Sequence, residues 1–133
     1  MQKYNNCPII VQRFINNVKK GDKRVVIIDG EVIGSFLRIP QPGSILSGTV
    51  HGSDLKLSNL TTKEELMVEK LKPFLIKNKL YFVGIDIIDE NLTEINFTSP
   101  TGIPILIELT GVNYGTIVWD IFEKIYNREI IKG

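Results

Sequence analysis

One cysteine, one histidine and one tryptophan occur among the 133 residues, and this scarcity removes several classes of protein. Cys7 has no second cysteine to pair with, which excludes an internal disulfide framework and is typical of a small core residue in a reducing compartment. His51 has no candidate catalytic partner nearby, so we assign it no role. The net charge is +1 and the basic residues are scattered, which gives no indication of nucleic-acid binding.

Long apolar runs are missing as well. No segment approaches the length of a membrane span, and no basic flank with an apolar core marks a signal peptide at the N-terminus. The remaining composition, 43% hydrophobic and 23% charged, is ordinary for a globular protein long enough to bury a core. We therefore expect a single domain over residues 1–133, located in the cytoplasm, that binds neither nucleic acid nor membranes.

Strand signals dominate the first part of the chain. Residues 8–15 form a dense apolar run, which predicts a strand. Residues 23–28 and 31–39 are rich in β-branched side chains, and Asp29-Gly30 between them is a strong hairpin signal. Residues 40–58 contain two prolines, three glycines and four serines, and they predict a long loop.

Helix signals follow. Thr61 and Glu64 have the spacing of a capping box, and apolar residues then repeat at helical intervals as far as Leu75, with Pro73 expected to kink the last turn. Residues 104–109 and 116–127 predict two further helices, the first ending at Gly111. The order of elements predicts an α+β fold, with a largely antiparallel sheet and packed helices.

Three oxygen-bearing side chains are concentrated in a second predicted hairpin, formed by residues 80–88 and 92–97. Glu94 and Asn96 share a face of their strand, because side chains alternate. A three-residue loop over 89–91 would place Asp86 directly opposite Glu94. A two-residue loop would turn Asp86 to the other face, since a slip of one residue reverses every side chain.

Two carboxylates and an amide oxygen make a hard ligand set. Such a set suits Mg²⁺ or Mn²⁺, with waters or substrate phosphates completing the coordination shell, and does not suit zinc. A nucleotide is then the natural partner. On spacing alone, an ordinary hairpin with one polar, solvated face accounts for the pattern more simply.

Four segments resemble the C-terminal part of prokaryotic glutathione synthetase, an ATP-grasp enzyme. They are VVIIDGEVIGSFLRIPQPG (25–43), LKPFLIKNKLYFVGIDIIDENLTEIN (71–96), TSPTG (98–102) and LTGVN (109–113). The resemblance implies a C-terminal ATP-grasp lobe, without the N-terminal domain and the lysine-bearing lobe of the family. It also implies an ATP-dependent ligase that joins γ-glutamylcysteine and glycine through an acyl phosphate.

The resemblance also implies roles for individual residues. The magnesium ligands would be Asp86, Glu94 and Asn96. Residues near ATP would be Gln12, Arg13, Phe14 and Ile15, whose backbone meets the adenine, and Asp22 near the ribose. Arg24 and Arg38 would line the substrate and phosphate side, and the loop closing on the peptide would be Ser99, Pro100, Thr101 and Gly102. Taken alone, Asp22 reads as a turn residue, and the two arginines read as solvated strand residues.

The chain departs from the family pattern at several polar positions. Leu46 and Gly48 stand where the family has an arginine and an asparagine, and Pro104 and Ile105 replace polar residues. Losing one charge-stabilising contact typically costs about a hundredfold in rate. We therefore expect this chain alone to be inactive. The alternatives are a binding or interaction module, one half of a split enzyme, a homo-oligomer as in the family, and a ligase for other acids and amines.

Overall fold

A single antiparallel sheet forms the centre of the fold in the computed structural model, which describes residues 8–44 and 52–131. The strands run in the order β3-β2-β1-β4-β5, and every neighbouring pair is antiparallel. They are β1 (Asp22–Ile28), β2 (Glu31–Ile39), β3 (Asp54–Leu57), β4 (Phe82–Ile88) and β5 (Asn91–Asn96). Because β1 lies in the middle and is buried at every position, its alternating side chains supply both faces of the sheet.

Helices cover the two faces. On one face, α1 (Thr62–Lys77) packs over a cluster formed by Val25, Ile27, Val68, Leu75, Val83, Ile85 and Ile87. On the other face, α2 (Ile103–Thr110) places Leu106 against Val26 and Phe36. The last helix, α3 (Tyr114–Ile131), follows α2 and contacts the sheet where the rings of Phe82 and Phe122 meet edge to face.

Both hairpins use the same device, a two-residue turn followed by a bulge on the second strand. The turn residues Asp29-Gly30 and Asp89-Glu90 all have positive φ angles, as a type I′ turn requires. Ile33 in β2 and Thr93 in β5 have no partner residue in the ladder. Each bulge moves the pairing beyond it by one residue, so that Val26 lies opposite Gly34 and Asp86 lies opposite Glu94.

Several predictions from the sequence are confirmed. The α+β class, the antiparallel sheet and the Asp29-Gly30 hairpin are as expected. The capping box between Thr61 and Glu64 has both of its hydrogen bonds, and α2 ends with Gly111 in the left-handed conformation. Within the described residues no helix has the length and apolar character needed to cross a membrane.

Other predictions are wrong. Residues 8–15 form no strand; among the described residues, their one hydrogen bond to the sheet comes from the side chain of Gln12. Strand β3 lies inside the predicted long loop, where it pairs with β2; residues 45–51 of that loop lie outside the described residues. Of the two turn lengths left open for the second hairpin, the structure has the two-residue turn, but a bulge keeps Asp86 opposite Glu94 instead of turning it to the other face. Helix α3 extends beyond the predicted 116–127 at both ends.

Candidate functional site

Two rows of side chains cross the α2 face of the sheet, and the strand registers fix their order. The first row contains Phe36, Arg24, Asp86 and Glu94, each paired with the next across neighbouring strands. The second row contains Gly34, Val26, Gly84 and Asn96. Asp86 therefore stands opposite Glu94, as predicted, although a two-residue turn plus the bulge at Thr93 produces this pairing.

Arg24 and Asp86 form a buried two-point ion pair in the first row. Nε of Arg24 donates to Oδ1 of Asp86 at 2.5 Å, and Nη2 donates to Oδ2 at 2.9 Å. The two side chains are only 8% and 5% exposed. Gly84 makes room for this arginine, because a Cβ there would lie 3.1 Å from Nη1 and 3.3 Å from Cδ.

A second ion pair extends the first. Arg38 donates to both carboxylate oxygens of Asp22, at 2.6 and 2.7 Å, and its Nη2 lies 3.0 Å from Oδ1 of Asp86. Burial opposes the charge of Arg38, but the hydrogen bond to Asp22 and the negative charges of Asp86 and Asp22 raise its pKa above the ordinary value. The result is an alternating chain of charges, Asp22–Arg38–Asp86–Arg24, in which every charge has a partner.

The predicted peptide-binding loop is seated on the same arginine. The carbonyl of Thr101 accepts a hydrogen bond from Nη1 of Arg24 at 3.2 Å. Gly102 has a φ of 143°, and a Cβ there would lie 2.8 Å from Val26, so only glycine fits between the loop and the sheet. Its carbonyl accepts from the amide of Leu106 at 3.0 Å and so begins α2. Ser99 is exposed and Pro100 is half-buried.

The three predicted metal ligands lie on this face but differ in the hydrogen bonds and ion pairs that they form. Asp86 is buried and bound by arginines, whereas Glu94 is exposed and has no hydrogen bond or ion pair to any described residue. Nδ2 of Asn96 is the one buried side-chain polar atom in the described part that lacks a partner. This nitrogen is a donor and does not bind a cation, so Asn96 would ligate through Oδ1. The carboxylate of Glu94 and the amide oxygen of Asn96 are the oxygen donors that Mg²⁺ prefers.

A metal site here depends on the amide. In residues 8–44 and 52–131, no group of three or more His, Cys, Asp or Glu side chains is placed to hold a metal ion. Asp86 and Glu94 supply only two carboxylates, so Asn96 would have to supply the third ligand. The donor set is compatible with a cation, and the metal assignment stays a prediction.

The predicted adenine segment lies beside the β4–β5 turn. Arg13, Phe14 and Ile15 line an open cavity of about 460 Å³ together with Asn16, Asn17, Asp89 and Asn91. Nε2 of Gln12 donates to the carbonyl of Thr93 at 3.3 Å, which holds the segment against β5. A cavity of this volume lies within the range of small-molecule sites, roughly 300–1,000 Å³.

Most of the predicted site residues lie on the α2 face of the sheet. The positions at which the chain departs from the family pattern have different environments. Ile105 packs against the apolar cluster of Val26, Phe36 and Leu106, whereas Pro104 is exposed. Leu46 and Gly48 lie outside the described residues.

Sequence reasoning missed the pairing of Asp22, Arg24, Arg38 and Asp86 with one another. The signal available was the Asp22-x-Arg24 spacing, since residues two apart on a strand share a face and can meet opposite charges on neighbouring strands.

A further buried ion pair on the α1 face was also missed. Lys23 reaches the carboxylate of Glu64 at 2.5 Å and the carbonyl of Asn59 at 2.7 Å. The same glutamate oxygen accepts the amide of Thr61 at 2.8 Å, so one carboxylate both caps α1 and binds β1. This pair holds the sheet and α1 together from the side opposite the candidate site.

The fold places the protein in a structural class. It is similar to the solved ATP-grasp ligase PsnB complexed with minimal precursor, with a TM-score of 0.52 and 15% sequence identity over 79% of this chain and 35% of that chain. At this identity the likeness concerns the fold alone. The chain has an ATP-grasp fold.

Sequence relatives narrow the class to a family. Residues 1–111 match the family described as prokaryotic glutathione synthetase, ATP-grasp domain. A glutathione synthetase from Rhodopseudomonas palustris is 41% identical over 116 residues, 87% of this chain and 37% of that protein. One from Prochlorococcus marinus subsp. pastoris is 48% identical over 96 residues, 72% of this chain and 31% of that protein. The chain therefore belongs to the prokaryotic glutathione synthetase ATP-grasp family, and it spans about a third of the length of these relatives.

Proposed function

We propose that the chain provides the C-terminal lobe of an ATP-dependent carboxylate–amine ligase of the glutathione synthetase type. The observation that carries the proposal is the row Arg24–Asp86–Glu94, with Asn96 one row away and the 98–102 loop bound to Arg24. Cationic and oxygen-donor side chains are thus concentrated on one face. This is the combination that phosphoryl transfer to a carboxylate requires, because both reactants are anionic.

In the proposed reaction the γ-phosphoryl group of ATP passes to the carboxylate of γ-glutamylcysteine, which yields ADP and an acyl phosphate. The amine of glycine then forms the amide bond, loses a proton and displaces inorganic phosphate. Arg24 and Arg38 would neutralise the phosphoryl and carboxylate oxygens, and the 98–102 loop would position the peptide. Residues 12–15 would meet the adenine through their backbone. Asp22 would contact the ribose while it keeps its hydrogen bonds with Arg38.

The proposed cation ligands are Asp86, Glu94 and Asn96. A bound Mg²⁺ or Mn²⁺ would supply charge neutralisation for the ATP phosphates. The contribution of the chain is to leave the exposed carboxylate of Glu94 without a hydrogen bond or ion pair to any described residue, and to place the half-buried Asn96 on the same face of β5.

Calorimetry with Mg²⁺ and ATP tests the nucleotide and cation parts of the proposal on the 133-residue chain. We expect binding of ATP that requires Mg²⁺, and at least about a tenfold loss of affinity in Glu94→Gln, since one charged ligand is removed. Glu108→Gln is the matched control, because Glu108 is an exposed glutamate of α2 outside the site. Equal affinities in the wild type and Glu94→Gln would overturn the assignment of Glu94.

Turnover is expected to need more than these 133 residues. The chain spans 37% of the Rhodopseudomonas palustris relative, and Leu46 stands at a family arginine position. The chain incubated with γ-glutamylcysteine, glycine, ATP and Mg²⁺ should form no glutathione, and a detected product would contradict this. Adding the part of that relative which does not align with this chain tests a split enzyme. Activity that appears on mixing and disappears in Glu94→Gln would support it.

A second candidate function, an interaction module, is favoured by the apolar surface of the N-terminal segment. Ile10 and Val11 are 88% and 84% exposed, and large exposed apolar patches tend to mark association sites. The partner we propose is a second copy of the chain. Sedimentation should detect concentration-dependent association that Ile10→Ser/Val11→Ser weakens, with the exposed Lys70→Ser as control. A monomer at all concentrations would exclude this candidate.

A further inference from the structure

We propose that Arg24 is an exchangeable partner of Asp86. Its guanidinium holds the carboxylate until a divalent cation takes its place, and the release of Arg24 is transmitted to the 98–102 loop. The inference rests on the proposed function, because the cation is the one assigned to Asp86, Glu94 and Asn96. It adds a competition between an arginine of this chain and the cation for a single carboxylate.

The hydrogen bonds of Asp86 leave little of its carboxylate for a cation. Oδ1 accepts from Nε of Arg24 and lies 3.0 Å from Nη2 of Arg38, while Oδ2 accepts from Nη2 of Arg24. Each carboxylate oxygen has about two lone pairs, so both positions on Oδ1 are used and one on Oδ2 remains. A guanidinium this close also repels a second positive charge. Full ligation of a cation by Asp86 therefore requires an arginine to withdraw.

The two arginines are not equally able to withdraw. Arg38 has a complete second partner, because both oxygens of Asp22 accept from it at 2.6 and 2.7 Å. Both carboxylate contacts of Arg24 are to Asp86, and its remaining hydrogen bond is to the carbonyl of Thr101. Exchange at Asp86 therefore leaves Arg38 paired and releases Arg24.

The release of Arg24 has two consequences. Its guanidinium becomes available to another planar anion, and carboxylate and phosphoryl groups are the ligands that match its fork of donors. Its hydrogen bond to Thr101 also changes, which alters the contact that seats the 98–102 loop over the sheet. Binding of a cation at Asp86 and binding of an anion at Arg24 are therefore coupled, and each favours the other.

Nuclear magnetic resonance of the arginine side chains tests the exchange directly on the wild-type chain. The Nε–H signal of Arg24, identified by its absence in Arg24→Met, is followed while Mg²⁺ alone is added. The signal should leave the position of a paired arginine as Mg²⁺ saturates the site, and the amide of Thr101 should shift with it. Arg128 provides the internal control, because it forms a two-point pair with Asp29, at 2.7 and 2.7 Å, away from the site.

The side-chain amide of Asn96 reports cation binding independently of Arg24. If both the Asn96 and Arg24 signals shift with Mg²⁺, and both shifts disappear in Glu94→Gln, the exchange is supported. If Asn96 shifts and Arg24 does not, the exchange is wrong while the cation site stands. If neither signal responds, the cation site itself is wrong, and the exchange fails with it.

Variants at position 24 give a second measurement. Removing the competitor should tighten Mg²⁺ binding by about tenfold or more, because the fraction of Asp86 that is available rises. Arg24→Met should show this gain, and Arg24→Lys should show part of it, since lysine keeps the charge but cannot make the two-point contact. Arg128→Met should leave the affinity unchanged. An unaltered affinity in both Arg24 variants would overturn the proposal.

Discussion

Asp22 and Arg38 stand directly opposite each other at the ends of β1 and β2, and two hydrogen bonds of 2.6 and 2.7 Å join their side chains. Both side chains are about nine-tenths buried. The strand register therefore brings together, inside the protein, two charges that are solvated by water in the unfolded chain. The pair anchors one end of the charged chain that runs on to Asp86 and Arg24.

Removing one member of this pair should destabilise the fold. Asp22→Asn leaves Arg38 buried with only the more distant Asp86, and we expect the free energy of unfolding to fall by about 3 kcal/mol. Urea denaturation measures the change. Asp89→Asn is the control, since an exposed turn residue with positive φ accepts asparagine and should change stability by less than about 0.5 kcal/mol.

A double variant measures the interaction energy between Asp22 and Arg38 separately from their other contacts. Asp22→Asn combined with Arg38→Gln should cost less than the sum of the two single changes, because the second removes the unpaired charge that the first leaves. Strict additivity would contradict the pairing. The raised pKa of Arg38 implies that this stability is fully present below its ordinary pKa and is lost only as the pH rises through the higher folded value.

Glu64 should be the most sensitive position of α1. Its carboxylate caps the helix through the amide of Thr61 and binds the buried ammonium of Lys23. Glu64→Ala removes both interactions, so we expect a loss of about 3–5 kcal/mol in the free energy of unfolding. Glu64→Gln can still cap the helix and should lose less. The neighbouring Glu65 is exposed, and Glu65→Ala should leave the free energy of unfolding nearly unchanged in the same denaturation experiment.

Gly102 and Gly111 make a matched pair of glycines with positive φ. A Cβ at Gly111 meets nothing within 4 Å, so Gly111→Ala should cost only the backbone penalty, about 1–2 kcal/mol. A Cβ at Gly102 would lie 2.8 Å from Val26 and 3.2 Å from Phe36. Gly102→Ala should therefore be clearly more destabilising in thermal melts. Equal melting temperatures for the two variants would contradict this seating of the 98–102 loop.

Glu90 gives a pH-dependent prediction. The hydroxyl of Thr61 and the ammonium of Lys63 donate to this carboxylate and lower its pKa below the ordinary value. A lowered pKa means that the contribution of Glu90 to stability is present above pH 4.5 and is lost as the pH falls through the folded value. Melting temperatures of the wild type should therefore fall more on acidification than those of Glu90→Gln. Parallel curves for the two proteins would argue against the contact.

The parts of the fold that the sequence predicted are those with local causes. Asp29-Gly30 requires positive φ at consecutive positions, and Thr61 with Glu64 closes a ring over three residues, so neither depends on distant chain. Strand β3 was missed because its pairing with β2 is a tertiary interaction that outweighs its loop-like surroundings.

The sequence predicted which residues belong to the candidate site, but it did not predict the ion pairs between them. Asp86 and Arg24 are 62 residues apart in the chain, and only the β1–β4 register brings them into contact. The Asp22-x-Arg24 spacing indicates that Arg24 can meet an opposite charge on a neighbouring strand, but it does not identify Asp86 as the partner. Each residue was therefore assigned to a ligand, the aspartate to a cation and the arginine to an anion, without the prediction that they bind each other.

The unpaired residue at Thr93 makes the hairpin tolerant to a change in length. A chain without Thr93 would still align Asp86 with Glu94, because the two-residue turn and an unbroken ladder then bring the same residues opposite each other. Such a deletion removes the carbonyl that accepts from Gln12 and the hydroxyl that donates to the carbonyl of Asp86 at 3.0 Å. The extra residue therefore joins the N-terminal segment to the sheet edge and adds a side-chain hydrogen bond between β5 and β4, whereas the two acidic side chains would still face each other without it.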